Sequence, residues 1–448
     1  MGGFVSADRQ SLMPQHASPG VAGAVWHSLA WLVVGNAIGV MTAILLLLPG
    51  LNPWLGEWTY GRWVMVHMNI ELYGWCALPM LGFLFKVYGA DRRRVSAWCR
   101  PILWLWSSAL LVGSISWLSG RSSGKLFLDW SGFARLFFPL AMGALWLLLA
   151  AALIEPQPEN ARSVVAARVA KILGLVVLAL VPLAVYFASS PNLYPAVNPD
   201  TGGPTAASQL ESSLSIVLIL LILPFGVTRR NESPKRVVGI SWLVFLADAA
   251  LCLSMGRKDV GHHSPAQYLS LATLLIWLPL IPVYYAAFHW NPATRGWRTA
   301  MFWWWGGLVV SGWILFLPGI LDRIKFTDVL VGHSLTAVAG FVTALLIFVM
   351  IQLLGEEDAW IFNRKWSFHA WNMGVLAYVV IISVAGWIEG VTPAFTIVPG
   401  PARNVLYVVR LLTGVAMLAG SLEWLTAASS LPSLSRRTQV DLHGVEAA

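Results

Sequence analysis

Apolar runs, each long enough to cross a bilayer as a helix, alternate with short polar segments from residue 25 to residue 427. About 20 residues of helix, at 1.5 Å each, cover the roughly 30 Å of hydrocarbon in a bilayer. By that measure twelve spans are predicted, over 25–49, 61–88, 97–119, 131–153, 167–189, 209–227, 237–255, 266–290, 299–321, 328–354, 368–388 and 403–427. Residues 1–24 and 428–448 read as polar tails. The N-terminal stretch contains Pro14 and Pro19 and lacks a charged n-region before a cleavable apolar core, so a cytoplasmic tail is expected there rather than a signal peptide. The predicted fold is all-α and polytopic, with one membrane domain over 25–427. No internal repeat, nucleotide-binding glycine loop or soluble domain is visible in it.

Composition supports that class: 57% of the residues are hydrophobic and 11% charged, which no water-soluble surface sustains. The net charge of +8 raises the question of a polyanionic partner. Its distribution answers it. Connections after even-numbered spans, with their flanking turns, hold 16 of the 29 Lys and Arg, including Arg92–Arg94, Arg229, Arg230, Lys235, Arg236, Arg364 and Lys365. Connections after odd-numbered spans hold nine, the tails three, and Arg410 stands inside a span. The positive-inside rule therefore places both termini in the cytoplasm, and no nucleic-acid ligand is implied. Trp54, Trp58 and Trp63 fall at an outer edge and Trp303–Trp305 near an inner one, as in an aromatic belt. Cys76, Cys99 and Cys252 give neither a disulfide framework nor a C-x-x-C-H site for covalent haem.

Ionisable residues inside the membrane are expensive and mark function. Of the nine histidines, His16 and His443 lie in tails, and His27, His289 and His369 near cytoplasmic ends of spans. His262 and His263 form a pair at the outer end between spans 7 and 8. His67 and His333 remain. They lie six residues into span 2 and five into span 10, both entered from outside, so both sit roughly 8–9 Å below the outer edge. Two imidazoles at one depth suit axial ligation of haem iron, and they suit equally two hydrogen-bonded core histidines. Arg410, seven residues into span 12, requires an anion: a haem propionate, or a protein carboxylate such as Glu211 or Asp328. Glu71, four residues after His67 and on its helix face, is placed to orient the imidazole, carry protons or complete a buried network, and Asp248 is a further acid within a span.

At these residues the chain resembles subunit I of the heme-copper oxidase superfamily, most closely the C-family, cbb-type cytochrome oxidases and nitric oxide reductases. The stretches "HMNIELYGWCALPMLG", "FTDVLVGHSLTAVAGF", "FHAWNMGVLAYVVIISVAGWIEG" and "YVVRLLTGVAMLAG" look like that family's helices 2, 10, 11 and 12, in order. The resemblance implies a twelve-helix bundle with cytoplasmic termini in a bacterial-type inner membrane. It also implies b-type haem, one or two, with His67 and His333 as iron ligands and Arg410 beside the cofactor. The implied partners are other membrane or periplasmic subunits, a cytochrome c-type carrier among them, or quinone.

Two departures bear on activity. The family carries His-x-His on helix 10; His333 takes the first position and Leu335 the second, so the low-spin partner of the helix 2 histidine is missing. The family's copper ligands on helices 6 and 7 have no counterpart in 209–227 or 237–255, where the expected pair falls at Met255 and Gly256. Copper is therefore expected to be absent and terminal oxidase activity doubtful. Three readings stay open: an electron-carrying haem protein; a working oxidase or nitric oxide reductase with relocated ligands, His262 and His263 among them; or a haem-free subunit in which His67, Glu71, Asp248 and Arg410 form a polar network.

Overall fold

The computed structural model describes residues 16–92, 94–125, 127–155, 163–193, 209–231, 235–255 and 263–434. Among them eleven helices are long and apolar enough to cross a membrane. In chain order these are α1 (Pro19–Leu47), α2 (Tyr60–Tyr88), α3 (Arg94–Leu118), α4 (Gly132–Ile154), α5 (Val165–Ala188), α6 (Leu210–Val227), α7 (Arg236–Met255) and α8 (Pro265–Ala286). After α9 (Arg295–Leu315) come α10 (Asp328–Leu354), α11 (Lys365–Glu389) and α12 (Pro401–Ser429). The protein is thus an all-helical, multi-pass membrane protein.

The helix not counted among the eleven is α9. Its 21 residues suffice by length, but Arg298, a run of three tryptophans and paired glycines lower its hydropathy. It also ends at Leu315, where the sequence predicts a span to 321. Pro318 cannot extend a helix, and Gly319 adopts φ 78°, a left-handed turn. At the other boundary in error, α1 begins at Pro19 rather than residue 25. Ser18 caps it, its Oγ accepting from the Val21 N–H at 3.4 Å, and Pro19 occupies the first turn, where a missing N–H costs nothing.

The chain forms two compact units. The first comprises Met1–Leu193, Val349–Phe368 and Met417–Ala448; the second comprises Tyr194–Phe348 and His369–Ala416. The first unit's core joins α2, α3 and α4 through fully enclosed aromatics, with Trp130 stacked on Phe138 at 4.1 Å and Trp117 edge-on to Trp130 at 5.0 Å. Much of α5, by contrast, is exposed apolar surface, the face a bilayer would cover. Polar side chains hold it by its backbone: Tyr88 Oη donates to Lys171 O at 2.9 Å, Trp146 Nε1 to Leu175 O at 2.8 Å and Arg135 Nε to Tyr186 O at 2.9 Å. At the C-terminal end Lys125 Nζ donates to Ala188 O and Ser190 O, both at 2.6 Å, and to Leu193 O. An ammonium there satisfies orphan carbonyls and opposes the helix dipole. Lys125→Met is accordingly expected to destabilise the protein by about 2 kcal/mol, read as a lower thermal midpoint in detergent with earlier proteolysis around residue 190. An unchanged midpoint would contradict the cap.

In the second unit Trp277, Tyr284, Tyr285 and Phe341 are buried to within 1% of complete enclosure. Two of the long helices are not regular. α2 widens into a π turn over Glu71–Cys76, and α10 does so over Thr336–Val342. These are the π turns among the described residues, and each follows within four residues of an intramembrane histidine.

Candidate functional site

His67 is half-buried on α2, facing α1. Its Nδ1 lies 2.9 Å from Gly35 O. A carbonyl only accepts, so a proton sits on Nδ1, and it is Nε2 that carries the lone pair whenever the ring is neutral. Gly39, one turn further along α1, makes room for the ring: a Cβ there would stand 3.0 Å from His67 Cε1. Seven residues after the histidine, Gly74 in the π turn receives Trp31 of α1, and a Cβ on it would lie 2.6 Å from Trp31 Cβ. α3 closes the arrangement. Trp106 Nε1 donates to Tyr73 O in the π turn at 2.8 Å, and Trp31 Nε1 donates to Ser107 Oγ at 3.1 Å.

His333 on α10 has the same surroundings, built from α9 and α11. Its Nδ1 lies 3.0 Å from Ser311 Oγ, whose own hydroxyl donates to Leu308 O at 3.2 Å. When the hydroxyl donates to Leu308 O, Ser311 accepts from Nδ1–H and the lone pair falls on Nε2; when it donates to Nδ1 the tautomer is reversed. A Cβ on Gly312 would stand 3.2 Å from His333 Cε1. Seven residues after the histidine, Gly340 in the π turn receives Trp304, whose ring a Cβ would approach to 2.6 Å. Trp371 Nε1 donates to Ala339 O in the turn at 2.9 Å, and Trp304 Nε1 to Asn372 Oδ1 at 2.9 Å. Each element of the first socket thus has its counterpart. Trp31 and Gly39 stand eight apart, as do Trp304 and Gly312; Trp106 and Ser107 on α3 answer to Trp371 and Asn372 on α11.

The matching residues recur in the same chain order, but they are single positions scattered over three helices each, so no repeat stands out along the sequence. Spaced signals exist: H-x6-G at 67–74 and 333–340, and W-x7-G at 31–39 and 304–312. The π turn itself explains the glycine. Its wider register puts an extra residue into the helix, and pushing that bulge against a neighbouring indole leaves no room for a Cβ.

The remaining predicted residues are placed separately. At Nδ1 of His67 the partner is Gly35 O rather than Glu71. Glu71 Oε1 is instead buried against Gly35, where a Cβ would collide with it, and has no hydrogen-bond partner among the described residues. Arg410 has a protein anion. Its Nη1 lies 3.7 Å from Asp328 Oδ2, and Nε donates to Tyr378 Oη at 2.6 Å. Asp328 opens α10, where Thr327 Oγ1 caps the helix and Glu389 Oε2 accepts the Asp328 N–H at 2.9 Å. Asp248 accepts from Trp277 Nε1 at 2.8 Å. His263 pairs with Asp322 at 2.9 Å on the surface, 60% exposed, while His262 lies outside the described residues. His27, expected at an interface, is buried, its Nδ1 2.9 Å from Ser107 Oγ. Among the described residues no three His, Cys, Asp or Glu gather as a metal-binding group; an axial haem ligand requires no such cluster.

No family model matches the chain, and no curated protein does. Among solved structures, a heme-copper terminal oxidase dimer determined by cryo-EM is similar over 92% of this chain and 84% of that one, at 13% identity and a TM-score of 0.49.

Proposed function

We propose that this chain is an integral membrane haem protein of the heme-copper oxidase subunit I type, with twelve membrane helices including α9 and both termini in the cytoplasm. Its two histidine sockets present His67 and His333 as axial ligands of b-type haem. The duplicated socket carries this reading. A core histidine that only fills space needs neither a polar partner at Nδ1 nor a glycine beside its ring, and here both are supplied twice. In metal-ligating histidines the Nδ1 hydrogen bond orients the ring and raises the basicity of Nε2. Gly35 O and the Ser311 hydroxyl perform that task. Gly39 and Gly312 fit closely beside the rings, the tryptophans brace the π turns that follow, and π turns are irregularities that often serve function.

Haem, when bound, supplies a one-electron couple. The chain's own residues hold the iron ligands, exclude water with indoles and balance charge. Arg410, already neutralised by Asp328, is the weaker member of the predicted set, sharing its charge with a propionate at most. Helices α6 and α7 contain no histidine, so copper-assisted oxygen reduction is not part of the proposal. Electrons would pass to or from a cytochrome c-type carrier or a quinone in a respiratory membrane.

The test is a dithionite-reduced minus oxidised spectrum of the purified protein, with pyridine haemochrome and elemental iron and copper on the same sample. A b-type α band with iron and without copper is expected. Protein made with ample haem supply and found haem-free would overturn the proposal and leave the sockets as structural joints. Stoichiometric copper would restore the oxidase reading.

A further inference from the structure

A cavity of about 570 Å³ lies wholly within the first unit, between the first turns of α1 and α3 and the segment that follows α12. By the predicted topology it opens at the cytoplasmic face, level with Arg92 and Arg94. It carries opposite charges that do not meet each other. Asp91, with its side chain 1% exposed, accepts from Ser18 Oγ at 2.8 Å through Oδ2, which lies 3.9 Å from Arg92 Nε. Its Oδ1 is buried with no partner among the described residues, and so is Ser433 Oγ on the same cavity wall. Arg100, on the first turns of α3, also lines the cavity and forms no ion pair among the described residues. Two indoles complete the wall, with His27 set edge-on to Trp26 at 5.2 Å and to Trp104 at 4.7 Å.

Left alone, the buried carboxylate oxygen is costly, because it lacks a donor, and the exposed Arg100 offers a cation on the same wall. A ligand that satisfies both must carry a cationic donor and an anion a few bonds apart. We propose that the cavity binds the headgroup of a phospholipid bearing a primary ammonium, an ethanolamine phosphodiester. The ammonium meets Asp91 Oδ1 and Ser433 Oγ, the phosphate meets Arg100, and the methylenes lie against the indoles. The acyl chains have a path. Trp104, Leu111 and Ile115, 50%, 56% and 58% exposed and spaced on one face of α3, run from the cavity into the bilayer region. A quinone offers no donor to the buried Asp91 Oδ1 and no anion to Arg100, and fits less well.

The experiment is native mass spectrometry of the full chain, delipidated in detergent and offered phosphatidylethanolamine and phosphatidylglycerol in equal amounts. Wild-type protein is expected to retain one phosphatidylethanolamine about tenfold over phosphatidylglycerol, the size of one charge-assisted contact. Asp91→Asn should abolish that preference, whereas the exposed Arg100→Gln, which removes the partner of the phosphate common to both lipids, should lower retention of both; the second variant keeps the test valid if the first misfolds, and unchanged retention in it would overturn the proposal. Displacement by soluble glycerophosphoethanolamine assigns the site to the free ester, and failure to displace assigns it to the lipid. Equal retention of the two lipids by wild-type protein, or displacement of phosphatidylethanolamine by a short-chain ubiquinone, overturns the proposal.

Discussion

His67→Ala is expected to remove about half of the haem iron from the purified protein, His333→Ala the other half, and the double variant nearly all of it. The division follows from the separateness of the sockets. His67 is held by Gly35 and Gly39 of α1 and His333 by Ser311 and Gly312 of α9, and no residue of one set contributes to the other. Each imidazole thus has its own positioning apparatus, as two separately ligated haems require. If one haem instead took both rings, either single variant would eliminate the bis-imidazole spectrum and the loss would be complete rather than half. Full haem retention in the double variant would sink the ligand assignment. Ser311→Ala is a milder probe of the same idea. It leaves the ring in place and releases Nδ1, so haem should remain but dissociate roughly 10-fold faster in apomyoglobin competition. The same treatment should leave the His67 site untouched.

Hydropathy carried the helices because a bilayer imposes a length and an apolar composition on every span, and both are written locally. It erred where local chemistry outweighed apolarity. Ser18 and Pro19 start α1 within a stretch that reads as tail, and Pro318 with Gly319 stops α9 inside one that reads as span. Single residues of the site were legible for a related reason: His67, His333, Glu71 and Arg410 stand out against an apolar background. Their partners did not. Gly35, Gly39 and Gly312 look like ordinary small residues in a membrane helix, and Ser311 like a neutral filler. What distinguishes them is the neighbour on the next helix, which the sequence does not order. For Arg410 the sequence left open a haem propionate, Glu211 or Asp328, and in the structure Asp328 comes within 3.7 Å of it. For Glu71, i, i+4 spacing gave proximity to His67 but could not choose between orienting the ring, carrying protons and joining a buried network; at Nδ1 the acceptor is the backbone of α1.

Gly386→Ala is expected to be among the most destabilising single-methyl additions in this chain, costing about 3 kcal/mol. The methyl would enter the start of α10, 2.6 Å from Asp328 C and 2.9 Å from its Cα, with the Val329 nitrogen closer still. Backbone at a capped helix end cannot rotate away as a side chain can. α10 must shift as a body, and its first residue is the carboxylate paired with Arg410. The substitution therefore acts twice, through the clash and by drawing Asp328 away from a guanidinium that is only 15% exposed. Arg410→Met alone should cost a similar amount, about 3 kcal/mol, because it strands the Asp328 carboxylate in an enclosed setting. Asp328→Asn with Arg410→Met should recover most of that loss. If displacement of Asp328 is part of the glycine effect, Gly386→Ala and Arg410→Met must combine to less than their sum. Thermal unfolding of the four proteins in one detergent reads this directly, with Gly143→Ala as control. A Cβ on Gly143 meets nothing within 4 Å, so that variant should be neutral or slightly more stable. Equal midpoints for the Gly386 and Gly143 variants would mean that α10 and α11 do not meet at Gly386. Strict additivity with Arg410→Met would mean that the clash is local and leaves the ion pair intact.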